Sequence, residues 1–264
     1  ERPPTHPVLR WGVAGICGAV SVLVLLVYLG VVAGGLTAVW GRDWTLTTAH
    51  WRLAGDRLGA LVASVKIGAL AGLVTGAVSV VVAFLASRDL PGRRALDFLA
   101  VLPGALPGVF VGVGFVLAFN APPLELAGTP WILALALAFW HLPMGYQAAA
   151  ATLTQIERSI EEAATNLGAP GLRVLWDIYL PLLRRAFVGA FTVSFVRAVT
   201  NVSIVVFLVT PGNVVATFVI LNMISNNHWG AAAALTTMLL LLTGTAVALA
   251  GAVLGRAVRG LPVG

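Results

Sequence analysis

The chain has one lysine, Lys66, and one cysteine, Cys17, and only 10 of its 264 residues are acidic. One cysteine can build neither an internal disulfide nor a multi-cysteine metal site. A phosphate-cradling loop ending in Gly-Lys-Ser/Thr is excluded because Lys66 is followed by Ile67, so the chain cannot hydrolyse ATP by that route. It contains no HExxH pair, and His6, His50, His141 and His228 fall on separate segments without helical spacing, so no metal site is expected. A GxSxG elbow is also absent, so a serine nucleophile would need a base brought in from elsewhere. These absences point away from an enzyme and call for no cofactor.

Apolar residues dominate instead: 59% of the chain is hydrophobic and 10% charged, the composition of a membrane protein. The formal charge is +6, but the arginines sit in short patches beside apolar runs. Anionic lipid headgroups and topology account for that pattern, and nucleic acid does not.

A helix needs about 20 apolar residues to cross the hydrocarbon core. Six runs qualify, at 12–40, 58–86, 95–120, 130–151, 186–210 and 230–255. The first reads as an anchor rather than a signal peptide, and the opening ERPPTHPVLRWG, without Met, is consistent with the start of a fragment. Short cytoplasmic loops retain Lys and Arg. An inside N-terminus places Arg2, Arg10, Arg88, Arg93, Arg94, Arg158, Arg173, Arg184, Arg185, Arg256 and Arg259 on the inner side, leaving Arg42, Arg52 and Arg57 outside. The expected organisation is therefore a cytoplasmic segment 1–11, a six-helix membrane domain 12–256 and a cytoplasmic tail 257–264. The outer loops carry only Asp43, Asp56 and Glu125, too few acids for a cation filter.

Gly68, Gly72 and Gly76 recur every four residues, as do Gly104, Gly108 and Gly112, which puts small residues on one helix face and favours close helix packing in lipid. Pro103 and Pro107 should bend the third span or delay its start.

Charge is densest in the inner segment 152–185, which holds Glu157, Arg158, Glu161, Glu162, Arg173, Asp177, Arg184 and Arg185. QIERSIEEAATNLG reads as a helix capped by a left-handed Gly168. Ala169, Pro170 and Gly171 make a turn, and LRVLWDIYL a second helix that Pro181 interrupts. Spacing alone leaves two readings: an amphipathic connector on the headgroups, or a projecting helix whose small face, Ala163, Ala164 and Gly168, seats in a partner's groove. A segment of this length argues for a functional loop.

Glu162, Ala163 and Ala164, Gly168 after three residues, then Ile178, Leu180 and Pro181, reproduce at all seven positions the EAA motif of permease subunits in binding-protein-dependent ABC importers. LPGALPGVFVGVGFVLAFN, the run from Phe139 to Ala169 and SFVRAVTNVSIVVFLVTPGNVVATFVILN resemble the C-terminal half of ferric-iron permeases. The resemblance implies an all-α membrane protein of the type I importer permease fold, with six transmembrane helices and a cytoplasmic coupling helix between the fourth and fifth. It implies ATPase coupling through Glu161, Glu162, Ala163, Ala164, Gly168, Ile178, Leu180 and Pro181, the last three tying the loop to the fifth span. It also implies a cytoplasmic ABC ATPase dimer, an extracytoplasmic substrate-binding protein and a bacterial inner-membrane location. Members of that family usually carry two such halves; this sequence carries one, so the second permease half is expected to be identical, fused or homologous.

Two cations fall inside spans, where charge is costly unless relieved. Lys66 lies near the outer start of its span and can snorkel. Arg197, followed by Thr200, Asn201 and Ser203, lines a candidate translocation pathway or serves as a strut bonded to a neighbouring helix. On the pathway it would favour an anionic or chelated cargo, compatible with ferric iron, while similar permeases carry phosphonates, polyamines, sulfate or thiamine. A self-contained channel or facilitator is the rival from another class.

Overall fold

The computed structural model describes residues 7–156, 163–164 and 166–259. Its elements are α1 (Pro7–Leu36), β1 (Thr37–Val39), β2 (Asp43–Leu46), α2 (Ala49–Gly55), α3 (Leu58–Ala86), α4 (Arg93–Val101), α5 (Gly108–Phe119), α6 (Pro130–Leu153), α7 (Gly171–Val174), α8 (Leu180–Val199), α9 (Val205–Leu208), α10 (Ala216–Ser225) and α11 (Trp229–Arg259). Among the described residues, four helices are long and apolar enough to cross a membrane, or five if the bent pair Arg93–Ala105 and Gly108–Phe119 counts as one span. Chain contacts divide the molecule into two compact units, Glu1–Leu58 with Ile220–Leu240, and Gly59–Val219 with Leu241–Gly264.

In the first unit, α1 runs into an antiparallel hairpin of β1 and β2 that turns at Gly41, φ +78°. The Thr47 amide donates to the Leu36 carbonyl at 2.8 Å, tying the hairpin back to the end of α1. Trp40 and Trp44 meet edge to face across the hairpin, ring centroids 5.1 Å apart. Gly35 lies against the backbone of Ala234, where a Cβ would come within 3.0 Å, so this glycine sets how closely α1 and α11 approach.

The second unit is built on the first of the two expected glycine rows; the other is split, Gly104 falling in a 3₁₀ turn and Gly108 and Gly112 on α5. A Cβ on Gly68 would meet Val199 at 2.5 Å, on Gly72 the ring and carbonyl of Phe191 at 2.9 Å, and on Gly76 the ring of Phe187 at 2.9 Å. The glycines of α3 thus form a groove filled by every fourth side chain of α8, running in the opposite direction. Without water to drive association, close van der Waals contact of this kind is what holds helices together in lipid.

The third span differs from one straight helix. Its two parts are bent by 113°, a 3₁₀ turn at Leu102–Ala105 leading into extended Leu106 and Pro107. The cause is the expected one: Pro103 and Pro107 lack N–H groups, so the helical ladder fails between them. The Trp140 indole N–H donates to the released Leu106 carbonyl at 2.9 Å.

The fifth span also departs from the expected 186–210. Its helix starts earlier, at Leu180, and stops at Val199; α9 resumes at Val205 after a turn in which Asn201 Oδ1 accepts the Ile204 amide at 2.9 Å. Nor does Pro181 end the helix before it. A wider π turn at Leu175–Tyr179 leads directly into α8, which carries Pro181 in its first turn, where a missing N–H is harmless.

Candidate functional site

Ala163, Ala164 and Asn166 are helical, and Gly168 follows with φ +83°. The Ala169 amide donates to the Ala164 carbonyl at 3.0 Å, the six-to-one bond of a Schellman cap, so Gly168 ends this helix as the sequence pattern required. Nothing lies within 4 Å of a Cβ placed on Gly168, and the neighbouring Leu167 is 88% exposed. Pro170 then opens the next helical turn, its carbonyl accepting from Arg173 at 2.8 Å and Val174 at 3.2 Å. The apex therefore projects an apolar side chain and a bare glycine. Glu161 and Glu162 lie outside the described residues, as do Glu157 and Arg158.

The other half of the motif faces inward, though not at every expected position. Ile178 packs with Ala164 and Ala169 onto Val80, Ala83, Tyr146, Ala149 and Leu153, so the segment rests on the C-terminal ends of α3 and α6. Leu180 and Pro181 are exposed and begin α8. Tyr179 is the buried anchor, at 7% exposure; sequence reasoning passed over it because the motif leaves that position variable. Beside it opens a cleft of about 950 Å³, lined by Arg88, Asp97, Tyr146 and Tyr179 among others. The Tyr146 hydroxyl donates to Asp97 across this cleft, joining α6 to α4.

Farther along α8, the candidate pathway residues gather where the span is broken. Arg197, Thr200 and Ser203 are exposed, whereas Asn201 is buried and caps the turn. No ion pair to Arg197 occurs among the described residues. The break in the third span packs against this one: a Cβ on Gly108 would meet Ser203 at 2.9 Å, and one on Gly112 the Ile204 carbonyl at 3.2 Å. Irregular backbone at membrane depth is tolerated only where protein buries it or water lines it. Lys66 is exposed on α3, about two turns from the helix start.

One polar cluster had no recognised signal in the sequence. Thr75 and Ser194 hydroxyls lie 2.9 Å apart, and Ser194 Oγ lies 3.3 Å from His141 Nδ1. All three are at most 2% exposed and link α3, α6 and α8. A serine beside a histidine is thus present, but it is sealed among helices and shared with Thr75, the arrangement of an interhelical link. Ser64 Oγ, accepting the Ala216 amide at 2.8 Å, likewise caps α10. Polar residues isolated in apolar runs were the available clue.

Several apolar spans, one of them bent where it packs against the break between α8 and α9, and a capped apex resting on the helix ends define a helical membrane protein of the permease type. The chain belongs to the family of binding-protein-dependent transport system inner membrane components, whose family model matches residues 72–260. It is 35% identical over 231 residues to the ferric transport system permease protein FbpB of Actinobacillus pleuropneumoniae, covering 85% of this chain and 34% of that protein. The sulfate transport system permease protein CysT of Synechococcus elongatus is 28% identical over 200 residues, 70% of each chain. Among solved structures, a bacterial ABC transporter that imports the acidic polysaccharide alginate aligns with TM-score 0.76 and 13% identity, over 94% of this chain and 97% of that one, a likeness of fold. The chain spans about a third of the length of the ferric permeases it matches.

Proposed function

We propose that the chain is the membrane-spanning part of an ATP-driven importer, receiving cargo from a separate extracytoplasmic binding protein and energy from a cytoplasmic ABC ATPase dimer. The observation that carries this reading is the coupling segment. Gly168 and the 88%-exposed Leu167 project from an apex whose base, Ala164, Ile178 and Tyr179, is packed onto the ends of α3 and α6. A force on the apex reaches two spans through packed side chains, and small residues at its tip suit a groove on a partner. Glu161, Glu162, Ala163, Ala164 and Gly168 are assigned to the ATPase contact, and Ile178, Leu180 and Pro181 to the connection with α8. This reading puts the segment and both termini on the cytoplasmic side, which the arginine distribution supports.

A second permease half, identical, fused or homologous, completes the pathway, with Arg197, Thr200, Asn201 and Ser203 lining it. An exposed arginine in the last turn of α8, at the break before α9, needs a polar environment, which a pathway shared with a second half supplies. Ferric iron in anionic or chelated form is the proposed cargo: the ferric permease relative supports it, and the cation at Arg197 is compatible with it. The test is uptake of radioactive ferric iron by proteoliposomes holding the full permease assembly, its ATPase and an iron-loaded binding protein. Uptake should require ATP and all three components. Uptake by the permease alone, down a gradient, would establish a facilitator instead, and ATP-dependent uptake of sulfate in place of iron would reassign the cargo.

A further inference from the structure

Tyr179 meets Phe84 of α3 edge to face, with ring centroids 5.2 Å apart and planes at 69°. Arg88, just beyond the end of α3, lies with its guanidinium carbon 4.4 Å from the Phe84 centroid and 5.0 Å from that of Tyr179. Both distances are inside the range at which a cation is drawn to an aromatic face. A planar guanidinium can stack where an ammonium cannot, so the position suits arginine specifically. Phe84 and Arg88 are half-buried and Tyr179 is buried, and the cluster borders the cleft of about 950 Å³. It thus joins the coupling segment to α3 at the edge of an open space, where the contact has room to loosen and re-form.

We infer that Arg88 is a positioning residue that clamps the coupling segment to α3 by holding Tyr179 against Phe84, so that displacement of the apex is passed to the spans. The inference rests on the reading that this segment receives the ATPase stroke. The cation sits over two rings contributed by different elements, so removing either the cation or the Tyr179 ring opens the same joint. The two losses should therefore combine less than multiplicatively.

The experiment reads cargo transported per ATP hydrolysed, in proteoliposomes containing the full assembly with iron-loaded binding protein. This ratio does not depend on how much protein folds. Arg88→Met and Tyr179→Leu should each lower it roughly three- to tenfold, the scale of a lost cation–π contact. Arg88→Lys should recover part of it, and the double variant should lose less than the product of the two single losses. An unchanged ratio in Arg88→Met or in Tyr179→Leu, or multiplicative losses in the double variant, would overturn the clamp. If Arg88→Met does not accumulate, Arg88→Lys and Tyr179→Leu test the same joint. Gly168→Val separates the two levels. If it leaves the ratio intact, the coupling reading itself fails; if it uncouples while Arg88→Met does not, only the clamp fails.

Discussion

Gly72 lies beneath Phe191 so closely that a single added methyl group would sit 2.9 Å from both the ring and the backbone carbonyl of its neighbour. The ring can turn aside; the carbonyl cannot. Gly72→Ala should cost about 1–3 kcal/mol, the usual penalty for overpacking a tight contact. Gly114, with nothing within 4 Å of an added Cβ, provides the control. Unfolding in mixed detergent micelles should separate the two variants, and equal stabilities would refute the groove.

At Gly168 the constraint is conformational. Its φ of +83° disfavours any L side chain although the surrounding space is open. Gly168→Ala should destabilise the apex locally by about 1 kcal/mol, leaving insertion intact. Proteolysis at the apex should quicken and co-purification of the ATPase should weaken. Retention of both at normal levels would remove Gly168 from the contact.

Trp140→Phe keeps an aromatic ring but leaves the Leu106 carbonyl without its 2.9 Å donor. An intramolecular hydrogen bond of this kind contributes about 0.5–1.5 kcal/mol net. The variant should therefore lose stability in the same assay by that amount, and a neutral result would show that another donor reaches the elbow.

Arg197→Met discriminates between pathway and strut. Loss of iron uptake with unchanged stability places the guanidinium on the pathway; lowered stability makes it a strut. The exposure of Arg197 leads us to expect the first.

In the hairpin, Asp43 accepts from the Thr45 amide at 3.0 Å and from its hydroxyl at 2.8 Å, and these bonds hold the carboxyl below its ordinary range. A depressed value means that the bonds persist above it and are lost as pH falls through it. The circular-dichroism couplet of Trp40 and Trp44, isolated by difference against Trp44→Phe, should accordingly survive acidification through the usual carboxylate range. Its disappearance at an ordinary carboxylate midpoint would contradict the assignment.

Much of this was readable in one dimension. Apolar runs gave the helices, the four-residue spacing of Gly68, Gly72 and Gly76 gave a packing face, and Gly168 followed by Pro170 gave the cap and the next helix start. What escaped depends on partners distant in sequence. Nothing in the run around Gly108 reveals that Ser203 fills the space above it, and Thr75 gives no hint of Ser194. The end of the fifth helix was missed because Asn201 satisfies the next turn's amide with its side chain, and hydropathy does not register that exchange. Tyr179 was missed for a different reason: a motif records positions that recur, while burial is decided by what the segment lies upon.

The groove on α3 has one more property. Gly68, Gly72 and Gly76 present the same hollow at each turn, and Phe187, Phe191, Phe195 and Val199 of α8 present a tooth at each turn. Teeth of this pitch can re-engage only after a slip of one four-residue repeat, about 6 Å, and clash at any fraction of it. The contact that makes the two helices adhere therefore also quantises how they can move past each other.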